Sequence, residues 1–116
     1  MSDNKLEYYF KEGCYIEEWQ NSAEQPDMSI VRVRVEANTS TLLHLLHHTE
    51  ERYIILSGSG IVTVGEKSWR VSPKDIVNIP AGEAQMICND NDEELLFLAI
   101  CTPRFVPENY EELPAS

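Results

Sequence analysis

Basic residues are scarce in this chain: 9 lysines and arginines stand against 20 aspartates and glutamates in 116 residues, a formal net charge of −11. Phosphate backbones and anionic lipid headgroups are bound through clustered Lys and Arg, so nucleic acid and membrane surfaces are excluded as expected partners. Cysteine is sparse too. Cys14, Cys88 and Cys101 are widely separated and form no C-x-x-C pair, which argues against a disulfide framework or a zinc ribbon and for reduced, buried thiols. No stretch approaches the roughly 20 apolar residues of a membrane helix, and the first ten residues lack the basic start and apolar run of a signal peptide. A cytoplasmic location is the resulting expectation. The length leaves no room for a second core, and 42% apolar with 25% charged residues describes an ordinary folded domain.

What the chain does contain is a succession of short strands. Val31, Val33 and Val35 alternate with Arg32, Arg34 and Glu36, the period-2 pattern of a strand with one buried face. Further strand-like runs follow at Leu42 to Leu46, Glu51 to Leu56, Ile61 to Val64, Ser68 to Val71, Ile76 to Ile79, Gln85 to Cys88 and Leu95 to Cys101. Turn signals separate them: Asn38, where a left-handed residue suits, Ser57-Gly58-Ser59-Gly60, Gly65-Glu66-Lys67, Pro73-Lys74-Asp75, Pro80-Ala81-Gly82 and Asn89 to Asp92. Strands at such spacing predict an all-β antiparallel sandwich or barrel with no helix in its core.

The organisation reads as three segments of one domain. Residues 1–28 supply one or two edge strands, within Tyr8 to Trp19, and a polar loop. Residues 29–101 form the barrel, and residues 102–116 form an acidic, proline-bearing tail that packs on the barrel or on a partner subunit. Glu108 to Glu112 reads as one helical turn, and Phe105, Val106 and Tyr110 need a surface to cover. Arg32 and Arg34 read as solvent-facing side chains that pair with Glu17 and Glu18.

Two stretches carry a family resemblance. Thr39 to His44, then Glu51, then Gly58 resembles the first motif of the cupin superfamily, G-x5-H-x-H-x(3,4)-E-x6-G. Pro80, Gly82, Gln85 and Asn89 resemble the second, G-x5-P-x-G-x2-H-x3-N. The resemblance implies a double-stranded β-helix, or jelly-roll, barrel that is often dimeric. In metal-binding cupins three histidines and a glutamate hold the ion; by motif position these fall on His44, Leu46, Glu51 and Gln85, so two of the four ligands are lost. The motif glycines are Asn38 and Lys74 here, and the second could strain its turn.

His44 and residue 46 share a strand face about 6.6 Å apart, and both aim inward. Leu46 has no donor atom, His47 points the other way, and His48 lies about 13 Å from His44 along a straight strand, reaching the same ion only if the chain folds back. Gln85 offers an amide oxygen, a weak ligand for zinc or iron. A divalent metal held by His44, Glu51 and Gln85, with His48 as a further candidate, is therefore disfavoured, and a hydrogen bond from His44 to Glu51 or Gln85 is expected in its place. The expected ligand site is His44, Leu46, Glu51, Tyr53 and Gln85, with Ile55 or its neighbours as apolar wall: convergent polar groups in an apolar cavity, as small-molecule sites are built.

Three functions are open at this level. One is a small cupin that binds a small molecule with its metal site degenerate. The second is a metal-dependent enzyme, a sugar isomerase resembling mannose-6-phosphate isomerase or a dioxygenase. The third is a dimeric module without a ligand. The lost imidazole favours the first; whether any reaction is catalysed stays open, since one barrel hosts many chemistries.

Overall fold

Alternation in the valine-arginine segment sets the first element of the barrel. In the computed structural model, which describes residues 6–114, Val33 and Val35 of that segment are buried while Arg32 and Arg34 face outward into ion pairs. The strands in chain order are β1 (Glu7–Phe10), β2 (Cys14–Gln20), β3 (Ser29–Val35), β4 (Thr39–Ser40), β5 (His44–Leu46), β6 (Glu50–Ser57), β7 (Gly60–Val64), β8 (Lys67–Val71), β9 (Ile76–Ile79), β10 (Gln85–Asn89), β11 (Leu95–Thr102) and β12 (Tyr110–Glu112). A 3-10 turn, Pro107–Asn109, precedes the last. Among the described residues no helix is long and apolar enough to cross a membrane.

Two antiparallel sheets face one another. One has the order β1-β2-β3-β11-β6-β9; the other runs β12-β5-β10-β7-β8, with β4 pairing to β10. Inward residues alternate along each strand, so Val33, Val35, Tyr53, Ile55, Val62, Val77, Ile79, Ile87, Leu95 and Phe97 meet as a continuous core. The β1–β2 hairpin extends the first sheet, which makes the N-terminal segment a pair of edge strands that lean over one end of the barrel.

Four local features depart from the sequence reading. The run from Leu42 to Leu46 is not one strand, because Thr41 interrupts the ladder: the Ile87 amide donates to Thr41 Oγ1 (2.9 Å) and the Leu42 amide is drawn off to the Glu12 carbonyl (2.7 Å). The tail turns helical only over Pro107–Asn109, after which Tyr110, Glu111 and Glu112 pair with Leu46, Leu45 and His44. An unfilled edge on β5 takes these residues as a strand. Arg32 bonds Glu17 and Glu7, and Arg34 bonds Glu7 and Glu94, so Glu7 replaces the expected Glu18, which lies on the opposite face of β2. Cys88 is half-buried on the outward side of β10, unlike buried Cys14 and Cys101, and all three thiols are free.

The motif positions at turns are structural. Asn38 has φ 55 and Lys74 φ 80, both left-handed, and the Lys74 amide still bonds the Ile55 carbonyl at 2.9 Å. An L-residue held there costs on the order of 1–2 kcal/mol, so Lys74 strains the turn that a glycine would fit freely. Gly58 has no substitute: its φ is +82, and a Cβ would lie 2.5 Å from the Glu94 carbonyl oxygen. Asn89, fully buried, donates its amide to the carbonyls of Val35 (3.0 Å), Glu36 (3.1 Å) and Glu93 (2.8 Å) and accepts from the Asn91 amide (3.1 Å). It clasps the loops at the end of the barrel remote from His44.

Candidate functional site

At the other end, four strands and a hairpin tip converge. His44 opens β5, with Gln85 of β10 as its register partner on one side and Glu112 of β12 on the other. Glu51 and Tyr53 project inward from β6. Glu12, at the tip of the β1–β2 hairpin, reaches His44 Nε2 at 3.4 Å with only 14% of its side chain exposed. Gly13 lets that tip approach, since a Cβ there would already sit 3.3 Å from the Ser40 carbonyl oxygen. Tyr110 of the tail stacks on the His44 ring, centroids 5.2 Å apart and planes 21° off parallel, and meets Phe10 edge to face.

The protonation states follow from the partners. His44 Nδ1 lies 2.7 Å from the Leu42 carbonyl, which only accepts, so the proton sits on Nδ1 and Nε2 presents a lone pair. Burial depresses the His44 pKa and keeps the ring neutral. Burial first, then the nearby Glu51 carboxyl, raises Glu12 well above the usual carboxylate range. Glu51 is pushed up to about 7 by burial, with the Gln85 amide and Cys101 thiol holding back the rise. Tyr53 donates its hydroxyl to Gln85 Oε1 at 2.8 Å. Among the described residues of this site, two buried side-chain atoms lack hydrogen-bond partners: Glu51 Oε1 and the Tyr110 hydroxyl.

Between these groups lies a cavity of about 50 Å³, room for a few waters or one small organic group. Its polar lining is Glu12, His44, Glu51, Ser29 and Cys101; the rest is apolar or aromatic, including Leu46, Tyr53, Phe97 and Phe105. Of the residues singled out from sequence, His44, Leu46, Glu51 and Tyr53 line this cavity. Gln85 stands behind Tyr53, bonded to its hydroxyl, and Ile55 belongs to the core. The expected bond from His44 to Glu51 or Gln85 is not made, because the Leu42 carbonyl and Glu12 occupy both ring nitrogens. His47 faces out to Glu111 at 2.7 Å. His48, exposed at φ 66, sits in the turn between β5 and β6 and does not reach the site.

Glu12 was not legible in the sequence. It stands between Lys11 and Gly13 in a segment that reads as a solvated hairpin tip, and only the docking of that tip on Leu42 buries it. Tyr110 is similarly silent, its place set by a pairing between residues more than sixty positions apart.

The donors do not suit a metal ion. Leu46 coordinates nothing, the Gln85 oxygen is engaged by Tyr53, and His44 has one free lone pair, already met by Glu12. Among the described residues no three His, Cys, Asp or Glu side chains are grouped to hold one.

Two facing antiparallel sheets that close around a polar cluster at one end define a double-stranded β-helix barrel of the single-domain kind. The chain belongs to the cupin family: its residues 31–101 match the Cupin domain. An uncharacterised protein of Methanocaldococcus jannaschii is 30% identical over 108 residues, 91% of this chain and 86% of the relative. A cotton (Gossypium hirsutum) vicilin, C72, is 33% identical over 85 residues, 67% of this chain; the match spans only 14% of the vicilin. Among solved structures, a Streptomyces nucleoside dehydratase superposes with a TM-score of 0.79 at 14% identity, covering 94% of this chain and 84% of its own. That likeness is one of fold.

Proposed function

We propose that this cupin binds a small molecule in the cavity between Glu12, His44 and Glu51, and that it does so without a metal. The observation that carries this is Glu51 Oε1, a buried carboxyl oxygen with no hydrogen-bond partner in the protein, at the wall of a mostly apolar space. A buried acceptor left unmatched costs on the order of 1–3 kcal/mol, which a ligand donor or a bound water recovers. None of the described lining residues is lysine or arginine, so the site is a poor match for sugar phosphates, the substrates that a mannose-6-phosphate isomerase-like activity requires.

In a thermal-shift screen of neutral and cationic metabolites, a compound that stabilises the wild-type protein should lose its effect on His44→Ala and on Glu51→Gln. Both variants should keep the wild-type circular dichroism spectrum. A hit whose shift survives both substitutions would place the ligand elsewhere.

A second reading rests on the neutral His44 and a Glu51 whose pKa is close to neutrality. A neutral imidazole and a carboxyl that titrates near neutrality in one cavity suit proton-transfer chemistry such as elimination of water. The structural neighbour that dehydrates nucleosides is consistent with it. Turnover of the screen's hits, followed by mass change, separates this reading from binding alone.

The partner expected at the quaternary level is a second copy of the chain. On the outer face of the first sheet, Ile76, Ile54 and Leu98 lie in register across β9, β6 and β11. Ile100 pairs with Ile30 beside them, and Ile76 is 55% exposed. Such an apolar sheet face packs well against its twofold mate, and a stable pair buries about 1,200–2,000 Å². Sedimentation at about micromolar concentration should show a dimer that Leu98→Glu converts to a folded monomer; a monomeric wild-type protein would end the proposal.

A further inference from the structure

The cavity has a chemical bias that goes beyond small-molecule binding in general. Five of its lining residues are aromatic: Tyr8, Phe10, Tyr53, Phe97 and Phe105. The chain places five of its eight phenylalanines and tyrosines in reach of one small space, with Tyr110 stacked outside on His44. Two carboxyls, Glu12 and Glu51, share that space, and no described lining residue carries a positive charge. Lys11 sits outside, its Nζ 4.8 Å over the Tyr110 ring.

A carboxylate in an apolar enclosure normally has an arginine or lysine beside it, because an unpaired buried charge is expensive. Glu51 Oε1 has neither a counter-charge nor a hydrogen-bond donor. Aromatic faces attract cations through their quadrupoles, most strongly where water is excluded, and an aromatic enclosure around a carboxylate is the arrangement that holds alkylated ammonium groups. An anion meets the opposite: two carboxyls and no donor of positive charge. A neutral alcohol satisfies the orphan oxygen and gains nothing from the rings.

From this enclosure we infer that the ligand of the cavity is a small organic ammonium, its charge set against Glu51 and its alkyl groups against the aromatic walls. The inference rests on the small-molecule reading above and narrows it to one class. The cavity is small, about 50 Å³, which favours a compact head group over an extended ligand.

Three probes of nearly equal shape isolate the charge: trimethylammonium, tert-butanol and pivalate, each titrated into the full chain by isothermal calorimetry, with methyl-region NMR to locate binding. Trimethylammonium should bind at least about tenfold more tightly than tert-butanol, and pivalate should not bind. Glu51→Gln should bring trimethylammonium down to the level of tert-butanol. Phe10→Leu, which keeps the apolar wall and removes a ring, should weaken it by roughly threefold or more. Equal or tighter binding of tert-butanol overturns the ammonium assignment and leaves the pocket standing. The same assignment falls alone if none of the probes binds while the metabolite screen yields a cavity ligand. Silence in both experiments removes the pocket reading along with it.

Discussion

Glu51→Gln should raise the free energy of unfolding by on the order of 3 kcal/mol more at about pH 8 than at about pH 4, measured by urea denaturation at both values. Glu51 titrates near 4.5 when the chain is unfolded and about 7 when folded. Between those values the native state holds a proton that the unfolded state has released, so stability falls as pH rises through this window and levels off above it. Glutamine keeps the shape and removes the titration. Glu12, raised in the same direction and in part by Glu51 itself, adds to the gain when the neighbouring charge is removed. His44 works with the opposite sign: its depressed pKa means that stability is lost as pH falls below the unfolded value of about 6.5. Comparison of the variant with wild type at each pH cancels His44 and the surface groups. Parallel stability profiles for the two proteins would show that Glu51 is not held in a water-poor setting.

The double substitution Leu46→His with Gln85→His should turn the site into a metal centre that retains roughly one equivalent of zinc or nickel through gel filtration, while wild-type protein retains far less. Positions 44 and 46 lie about 6.6 Å apart on one strand face, and position 85 stands directly across from 44 in the sheet. Glu51 supplies the carboxylate, and a bound cation would draw its pKa down and release its proton. Metal at about a thousandfold over its dissociation constant should stabilise the variant by about 4 kcal/mol, visible as a rise in melting temperature that a chelator reverses. Leu46→His alone serves as the folding control. An unchanged metal content in the double variant would mean that residues 46 and 85 do not face a common point.

The barrel was legible because its information is local and periodic. Alternation at Val31, Val33 and Val35, glycine at 58 and asparagine at 89 each answer to a strand face, a left-handed turn with no space for a side chain, or a buried clasp. The expected cluster of 44, 46, 51 and 53 lines the cavity for the same reason: strand geometry settles which face a residue takes. What escaped reading came from pairings between distant segments. Glu12 became part of the site through one backbone bond between a hairpin tip and Leu42, and nothing around Lys11-Glu12-Gly13 distinguishes it from a solvated turn. Thr41 broke a run of apparent strand by offering its hydroxyl to the Ile87 amide, an interaction defined only once β10 lies alongside.

Tyr110 covers one face of the His44 ring only because β12 takes the edge of β5, so the tail closes the sheet and shields the imidazole in a single pairing. A chain truncated after Thr102 would leave β5 with a bare edge and that face of the imidazole open.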